Sequence, residues 1–451
     1  MEQTLRQEDV FFTKADLRHL IIPLVIEQLL AITVGLADSL MVARVGEAAI
    51  SAVSLVDTVN VLLINAFSAL ATGGAVVAGQ YMGRRELDKA SHSGEQLLLF
   101  MLEISLLVTV FIYVGKQFIL GVVFGRVEAD VAAYANTYYL IVEASIPFLA
   151  LYNAGAALFR VMGNSNISMQ VSLVMNGINV AGNALLIFGL HRGVEGVAIP
   201  TLVSRVVAAG MILMLLRRPG AALRLKRIPR SHDGPVIRNF LHFGVPNGVE
   251  SSMFQLGKIL LLSTVSGLGT ASITANSIAN TIGVFQCIAG NAMGLAMVTV
   301  VSRCVGAGSY EQARLYTKRL LKMNYIYGLF LNLAILAALP LIIRIYAVSA
   351  EASAYATNIL IWHGVVGIAI WPLAFTLPQA LRAAGDTRFT MITSSLSMWI
   401  FRVAIGVVMA RSWGFGVLGI WYAMFIDWVV RMAAFVLRFR GHRWEVVRLR
   451  D

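Results

Sequence analysis

Long apolar stretches follow one another along the chain from about residue 15 to residue 437. Each exceeds the roughly 18 residues that mark a candidate transmembrane helix. Their apolar positions do not alternate with period two, as barrel strands would require, so each span must satisfy its backbone hydrogen bonds as a helix. The pattern predicts an all-α membrane protein with twelve transmembrane helices. They lie at residues 15–43, 48–80, 92–115, 130–154, 158–188, 194–216, 236–267, 271–303, 314–345, 352–378, 386–410 and 415–437.

Composition supports this class of protein. Of the 451 residues, 58% are hydrophobic and only 13% are charged, and the mean hydropathy is +0.76, which excludes a soluble domain. The first apolar run continues past Asp38 without a small-residue cleavage site, so we interpret it as a retained helix and not as a signal peptide. Cys287 and Cys304 lie in one apolar run and fit neither a metal site nor a disulfide framework.

The positive charges predict the orientation of the helices. Of the 36 Lys and Arg residues, 26 lie at the termini and in alternate loops, whereas the opposite face carries 6. By the positive-inside rule, both termini are cytoplasmic, and we expect a multi-pass protein of the cell's inner (cytoplasmic) membrane. The net charge of +12 mostly reflects this bias, so we attribute it to orientation and contact with the lipid bilayer, and not to nucleic acid.

The chain also contains an internal repeat. A shift of 223 residues superposes Pro23 on Pro246 and Glu27 on Glu250, and a shift of 222 superposes Arg160 on Arg382. We predict an N-terminal lobe at residues 1–216, a basic cytoplasmic linker at 217–235 and a C-terminal lobe with a basic tail at 236–451. Paired repeats of this kind are typical of transporters that work by alternating access.

Ionisable groups inside apolar spans are the first candidates for function, with structural ion pairs as the alternative. Glu27 and Asp38 are about three turns apart on helix 1 and are expected to face a cavity together, while Pro23 gives that helix a place to bend. Asn179 and Asn183 share one face of helix 5, and Asn153 lies near the end of helix 4. These amides are candidate partners for an acid on helix 1, or hydrogen-bonding contacts between helices.

The second half carries cations as well as acids. Glu250 and Lys258 lie on helix 7, Arg402 on helix 11, and Asp427 and Arg431 at i, i+4 on helix 12. We predict that Asp427 pairs with Arg431, and that Glu250 is left unpaired by its own helix. Five further groups are interpreted as structural: Asp57, Glu103, Glu143, Arg205 and His363.

Soluble-enzyme motifs are absent from the chain, which has no Walker loop, HExxH, CxxC or Gly-x-Ser-x-Gly. We therefore expect a protein that is not an enzyme and uses no cofactor. If transport is active, an ion gradient must drive it.

Several segments together resemble one transporter family. They are Pro23 with residues 37–46 (ADSLMVARVG), the Gly79, Gln80 and Gly83 group, residues 156–164 (AALFRVMGN) and their second copy at 379–387 (QALRAAGDT). With them the chain resembles the multidrug and toxic compound extrusion (MATE) family, whose twelve-helix antiporters couple cation efflux to proton or sodium entry.

The resemblance implies an ion-coupling site in the N-terminal lobe. The positions that match the family's site are Asp38, Pro23, Tyr138 or its neighbour Tyr139, Asn153, Asn179 and Thr201. Asn183 stands where relatives carry a second carboxylate, so Asp38 is expected to have no acidic neighbour, and its protonation to depend on burial. A sodium ion at Asp38 or Glu250 is the alternative to a proton. In other branches of the family the helix-7 acid lies about one turn further along than Glu250, and their helix-10 acid has no counterpart near Trp371. The resemblance therefore does not establish a sodium site in the C-terminal lobe.

The predicted function is secondary antiport of small organic cations against protons or sodium, by a protein expected to be a monomer. The alternative within transporters is a flippase for lipid-linked precursors, which would require clustered arginines for phosphate. A membrane sensor or scaffold is the rival of another class, but it gives no reason for inward-facing carboxylates in both lobes.

Overall fold

The computed structural model describes residues 11–123, 128–219, 222–225 and 231–446. Outside the described residues lie Arg126, residues 220–221 and 226–230 of the predicted linker, and residues 447–451 of the basic tail. Helices occupy nearly all of the described chain, which contains no strand.

Twelve long helices in the described part of the chain correspond to the twelve predicted helices. The first six are α1 (Lys14–Ala43), α2 (Glu47–Gly83), α3 (Leu87–Val114), α4 (Ala129–Glu143 and Ile146–Val161), α5 (Ser165–Gly189) and α6 (Glu195–Leu216). The second six are α7 (Gly234–Ser266), α8 (Thr270–Gln286 and Ile288–Gly306), α9 (Tyr310–Tyr346), α10 (Ala350–Ala383), α11 (Thr387–Ser412) and α12 (Gly416–Arg440). The prediction of an all-α fold with twelve helices is confirmed.

Most of these helices suit a membrane by length and apolarity. Among the described residues, 10 helices are long and apolar enough to cross one, and α4 raises the number to 11 when its two segments are one span. Those segments meet at a bend of 45° that the sequence did not predict. The remaining helix, α7, is not among these 11; it is 33 residues long and carries the charged residues Glu250 and Lys258.

Two compact units divide the chain. The first, here called the N lobe, comprises Arg18–Gly248, and the second, the C lobe, contains the described residues from Val249 onward together with those before Arg18. The division therefore falls within α7. In the C lobe, the backbone N–H of Phe12 donates to the Tyr316 hydroxyl at 2.9 Å, which fixes the start of the described chain to α9.

Within the N lobe, α2 packs against α3 and both segments of α4, while α6 packs against α4 and α5. Within the C lobe, α9 packs against α8 and α10, and α12 packs against α10 and α11. Many large apolar side chains remain exposed on the outside, such as Phe111 and Leu341 at 68% and 62%. Lipid is the solvent that such exposed side chains require.

The internal repeat recurs in the turns before α5 and α11. Gly163 and Gly385 have φ of 83° and 101°, a left-handed conformation that glycine adopts without strain. The next residue donates its N–H in the same way in both lobes, from Asn164 to Phe159 at 3.0 Å and from Asp386 to Leu381 at 2.9 Å. The motif shared by the two halves is thus a turn that ends one helix and starts the next.

Candidate functional site

Asp38 on α1 is bound by amide groups of α5. The Asn183 side chain donates Nδ2–H to Asp38 Oδ1 at 2.7 Å. With its amide nitrogen directed to Asp38, Asn179 donates to both carboxylate oxygens at 2.9 and 3.2 Å, and its carbonyl accepts from Thr201 Oγ1 at 3.0 Å. One helical turn separates the two asparagines, so both amides reach one carboxylate. The structure therefore brings together Asp38, Asn179, Asn183 and Thr201 from the predicted site.

Three further charged groups belong to the same lobe interior. Arg205 on α6 interacts electrostatically with Asp57, Glu143 and Asp38, and Asp57 in turn interacts with Asp38. The expectation that Asp38 has no acidic neighbour is therefore wrong, because α2 supplies one.

Asp57 and Arg205 form hydrogen bonds with different partners. Asp57 Oδ1 accepts from the Tyr138 hydroxyl at 3.3 Å and from Asn60 Nδ2 at 3.4 Å. Arg205 donates to Ser145 Oγ at 2.7 Å, at the bend of α4. Tyr138 thus hydrogen-bonds to Asp57, and its interaction with Asp38 is electrostatic only.

Three other residues of the predicted site form no hydrogen bond with Asp38 in the described part of the chain. Pro23 is buried inside α1 and precedes Asp38 by four turns, which is about 22 Å along an ideal helix. The side-chain nitrogen of Asn153 has no hydrogen-bond partner among the described residues. Tyr139, the alternative to Tyr138, donates its hydroxyl to the Ile112 carbonyl at 3.0 Å.

Glu27 and Glu250 form equivalent ion pairs, one in each lobe. Arg160 NH1 donates to Glu27 Oε1 at 3.2 Å, and Ser168 donates to the other carboxylate oxygen at 2.8 Å. In the C lobe, Arg382 donates to Glu250 Oε1 at 2.5 Å. These are the acids and arginines that the internal repeat superposes. Glu27 therefore does not join Asp38, and Glu250 has a partner on another helix.

Asp427 is also paired. Asp427 is fully buried on α12. It accepts hydrogen bonds from Arg431 Nε at 2.8 Å and from the Ser397 hydroxyl at 2.5 Å. The bond from Arg431 is the predicted i, i+4 contact. Lys258 and Arg402 interact electrostatically with each other, and neither forms an ion pair with a carboxylate of the described residues. The C lobe therefore holds cations in excess around α7 and α11.

A small cleft lies in the C lobe between α8, α9 and α10. Polar side chains of Gln286, Asn324, Asn332 and His363 line it, together with Trp371. His363 Nδ1 lies 2.5 Å from Gln286 Oε1, and Asn332 donates to the Gln286 carbonyl at 3.2 Å. The cleft is lined by neutral amides and a histidine, in contrast to the acids of the N lobe.

No group of three or more His, Cys, Asp and Glu side chains among the described residues is arranged to hold a metal ion. The oxygens of Asp38 face amide N–H donors, which are not ligands for a cation.

Comparison with known proteins agrees with this architecture. The MatE family model matches residues 23–185 and again residues 246–408, the same spacing as the internal repeat. The chain therefore belongs to the MatE family, and it is a membrane transporter and not an enzyme.

Individual relatives span nearly the whole chain. The uncharacterized transporter YisQ of Bacillus subtilis is 25% identical over 94% of this chain and 93% of its own length. Multidrug and toxin extrusion protein 1 of Homo sapiens is 21% identical over 94% of this chain and 74% of its own. The crystal structure of the Vibrio cholerae MATE transporter VcmN, a mutant form, superposes with a TM-score of 0.85 at 16% identity, covering 94% of this chain and 96% of that one. Such likeness confirms the fold.

Proposed function

We propose that this protein exports organic cations in exchange for protons, and that Asp38 is the carboxylate at which the two compete. The observation that carries the proposal is the Asp38 carboxylate held by the amides of Asn179 and Asn183 inside a membrane lobe. A carboxylate in the apolar part of a bilayer is expensive unless it serves function or is paired. Relatives named for multidrug and toxin extrusion support drug-like small molecules as the substrate class, and the negative charge of Asp38 favours cations among them.

Hydrogen bonding around Asp38 suits both of its protonation states. When Asp38 is ionised, Asn179 donates to it, and the Asn179 carbonyl accepts from Thr201. With the amide turned over, Asn179 donates to Thr201 Oγ1 at 3.0 Å and presents its carbonyl to Asp38, which can then donate an O–H. Rotation of one amide therefore satisfies the acid with and without its proton.

Protons fit this site better than sodium ions. Sodium is a hard cation and needs several oxygen ligands, whereas the ionised Asp38 carboxylate is faced by the amide N–H groups of Asn179 and Asn183. In the mechanism, protonation from outside neutralises Asp38 and releases the bound cation. Deprotonation toward the cytoplasm restores the negative charge that attracts the next one. The two repeat-related lobes supply the alternating access.

Imposed ion gradients distinguish the two coupling ions. Membrane vesicles loaded with a fluorescent lipophilic cation are placed under an inward proton gradient or, separately, an inward sodium gradient. We expect the proton gradient to accelerate efflux and the sodium gradient to leave it at the passive rate. Acceleration by sodium alone would contradict proton coupling.

A flippase for lipid-linked precursors is the second candidate, and one observation favours it. Lys258 and Arg402 interact electrostatically, and Arg402 Nε has no hydrogen-bond partner among the described residues. These two cations could therefore bind a phosphate group. The N lobe, with three acids against Arg205, favours cations instead. Competition of a lipid pyrophosphate with the fluorescent cation tests this candidate.

The proposed topology places both termini and the 217–235 linker in the cytoplasm. Cysteines at Ser231 and at Glu128 should label from opposite sides of the membrane in a background that lacks Cys287 and Cys304. The two positions lie on faces that carry 26 and 6 basic residues, respectively. A membrane-impermeant maleimide applied to intact cells should reach Glu128→Cys only, and labelling of both positions would overturn the orientation.

A further inference from the structure

Glu143 is a buried acid without a hydrogen bond. It ends the first segment of α4 with 0% of its surface exposed, and neither carboxylate oxygen has a hydrogen-bond partner in the described part of the chain. Other buried acids of this protein are paired: Glu27 with Arg160, and Asp427 with Arg431. An ionised carboxylate without hydrogen bonds is strongly disfavoured in such surroundings, and the neutral acid costs far less free energy to bury.

The groups that face Glu143 come from three neighbouring helices and its own. Arg205 of α6 and Asp57 of α2 interact with it electrostatically, as do Tyr113 of α3 and Tyr139 of α4. Both phenols donate elsewhere, Tyr113 to the Leu140 carbonyl and Tyr139 to that of Ile112. Arg205 is therefore the cation available to Glu143 among these groups.

Arg205 serves more acids than it can neutralise. One guanidinium interacts with Asp38, Asp57 and Glu143, so it could compensate only one of three negative charges if all three acids were ionised. Asp57 receives hydrogen bonds from Tyr138 and Asn60, which stabilise its ionised form. Glu143 receives none from the described residues, and Arg205 donates instead to Ser145, in the break between the two segments of α4.

We propose that Glu143 is a second proton-binding carboxylate of the N lobe, and that its protonation decides whether Arg205 binds Ser145 or Glu143. When Glu143 carries its proton, Arg205 donates to Ser145, which is the contact that the structure has. When the proton leaves Glu143 for water, the Arg205–Ser145 hydrogen bond breaks and an Arg205–Glu143 ion pair forms at the end of the first α4 segment. The guanidinium keeps its protons throughout.

This inference rests on the proposed antiport and adds a second exchanged proton to it. A cation entering the N lobe brings positive charge near Arg205, which favours loss of the proton from each neutral acid in the group. Glu143 would thereby connect the charge in the lobe to the angle between the two segments of α4.

Infrared spectroscopy of the purified full-length protein tests the protonation directly. A carboxylic acid that lacks hydrogen bonds gives a C=O stretching band at unusually high frequency. We expect this band in the parent and in Asp38→Asn, and its loss in Glu143→Gln, which keeps the shape of the side chain. Absence of the band from the parent, or its persistence in Glu143→Gln, would overturn the proposal whether or not the protein proves to be a proton antiporter.

Ser145→Ala tests the exchange of partners. Without the Ser145 hydroxyl, Arg205 is free to pair with Glu143, so the same band should disappear at lower pH than in the parent. Ser105→Ala removes an equally buried hydroxyl from α3, which donates to the Leu102 carbonyl, and should leave the titration unchanged. Equal titration of the Ser145→Ala protein and the parent would contradict the exchange.

Proton counting links Glu143 to transport. When tetraphenylphosphonium is added to the weakly buffered protein, we expect the parent to release two protons for each bound cation and Glu143→Gln to release one. Equal release from both would overturn the transport role of Glu143. If the parent releases no protons, the proposed function fails, and the infrared band still decides whether Glu143 is protonated.

Discussion

Asp38→Asn should abolish efflux of an organic cation driven by a pH gradient while leaving the protein folded. Asparagine preserves the shape of the side chain and its hydrogen bonding with Asn179 and Asn183, but it is permanently neutral and so mimics the protonated state. It can neither attract the cation nor exchange a proton. The rate measured in proteoliposomes should fall to that of protein-free vesicles.

Glu195→Gln is the matched control for this variant. Glu195 begins α6, is 44% exposed and forms a loose ion pair with Arg192 at 3.8 Å, so loss of its charge should cost less than about 1 kcal/mol of stability. Efflux by this control should equal that of the parent. Coupled efflux by a folded Asp38→Asn protein would remove Asp38 from the mechanism.

Glu250→Gln should weaken the protein and slow transport without abolishing cation binding. Arg382 and Glu250 are each only 12% exposed, so the variant leaves a guanidinium that has lost its charged partner inside the C lobe. The loss of a hydrogen bond to a charged group corresponds to roughly 1.5–3 kcal/mol. The thermal unfolding midpoint in detergent should therefore drop measurably, whereas that of Glu195→Gln should not.

Glu27→Gln provides the comparison within the N lobe. Since Glu27 and Arg160 form the repeat-related pair, this variant should lose stability to a similar extent and likewise keep its affinity for the cation. Loss of all cation binding in Glu250→Gln, together with tolerance of Asp38→Asn, would move the binding site to the C lobe.

The helices and the repeat were predictable because each depends on a local property of the sequence. Apolar length located the ends of the twelve helices to within seven residues, and the shift of 222 to 223 residues superposed both members of the Glu27–Arg160 and Glu250–Arg382 pairs. That these acids and arginines touch was not predicted, because the contact joins helices that are distant in the chain.

The membership of the site was predicted only in part. Asn179 and Asn183 were identifiable from their spacing on one helix face, and their contact with Asp38 follows from how α1 and α5 pack. Asp57, Glu143 and Arg205 were interpreted as structural, because the rotation of each helix about its axis decides which polar groups meet. The internal charge balance of three acids against one arginine becomes visible only when those rotations are known.

The most direct test of the account is proton release on cation binding. Purified protein in weakly buffered detergent solution receives an organic cation while a pH indicator records the change in free protons. The parent should acidify the solution in proportion to the cation bound, and folded Asp38→Asn, which loses the charge that attracts the cation, should not. Equal acidification by the two proteins would contradict competition between cation and proton at Asp38.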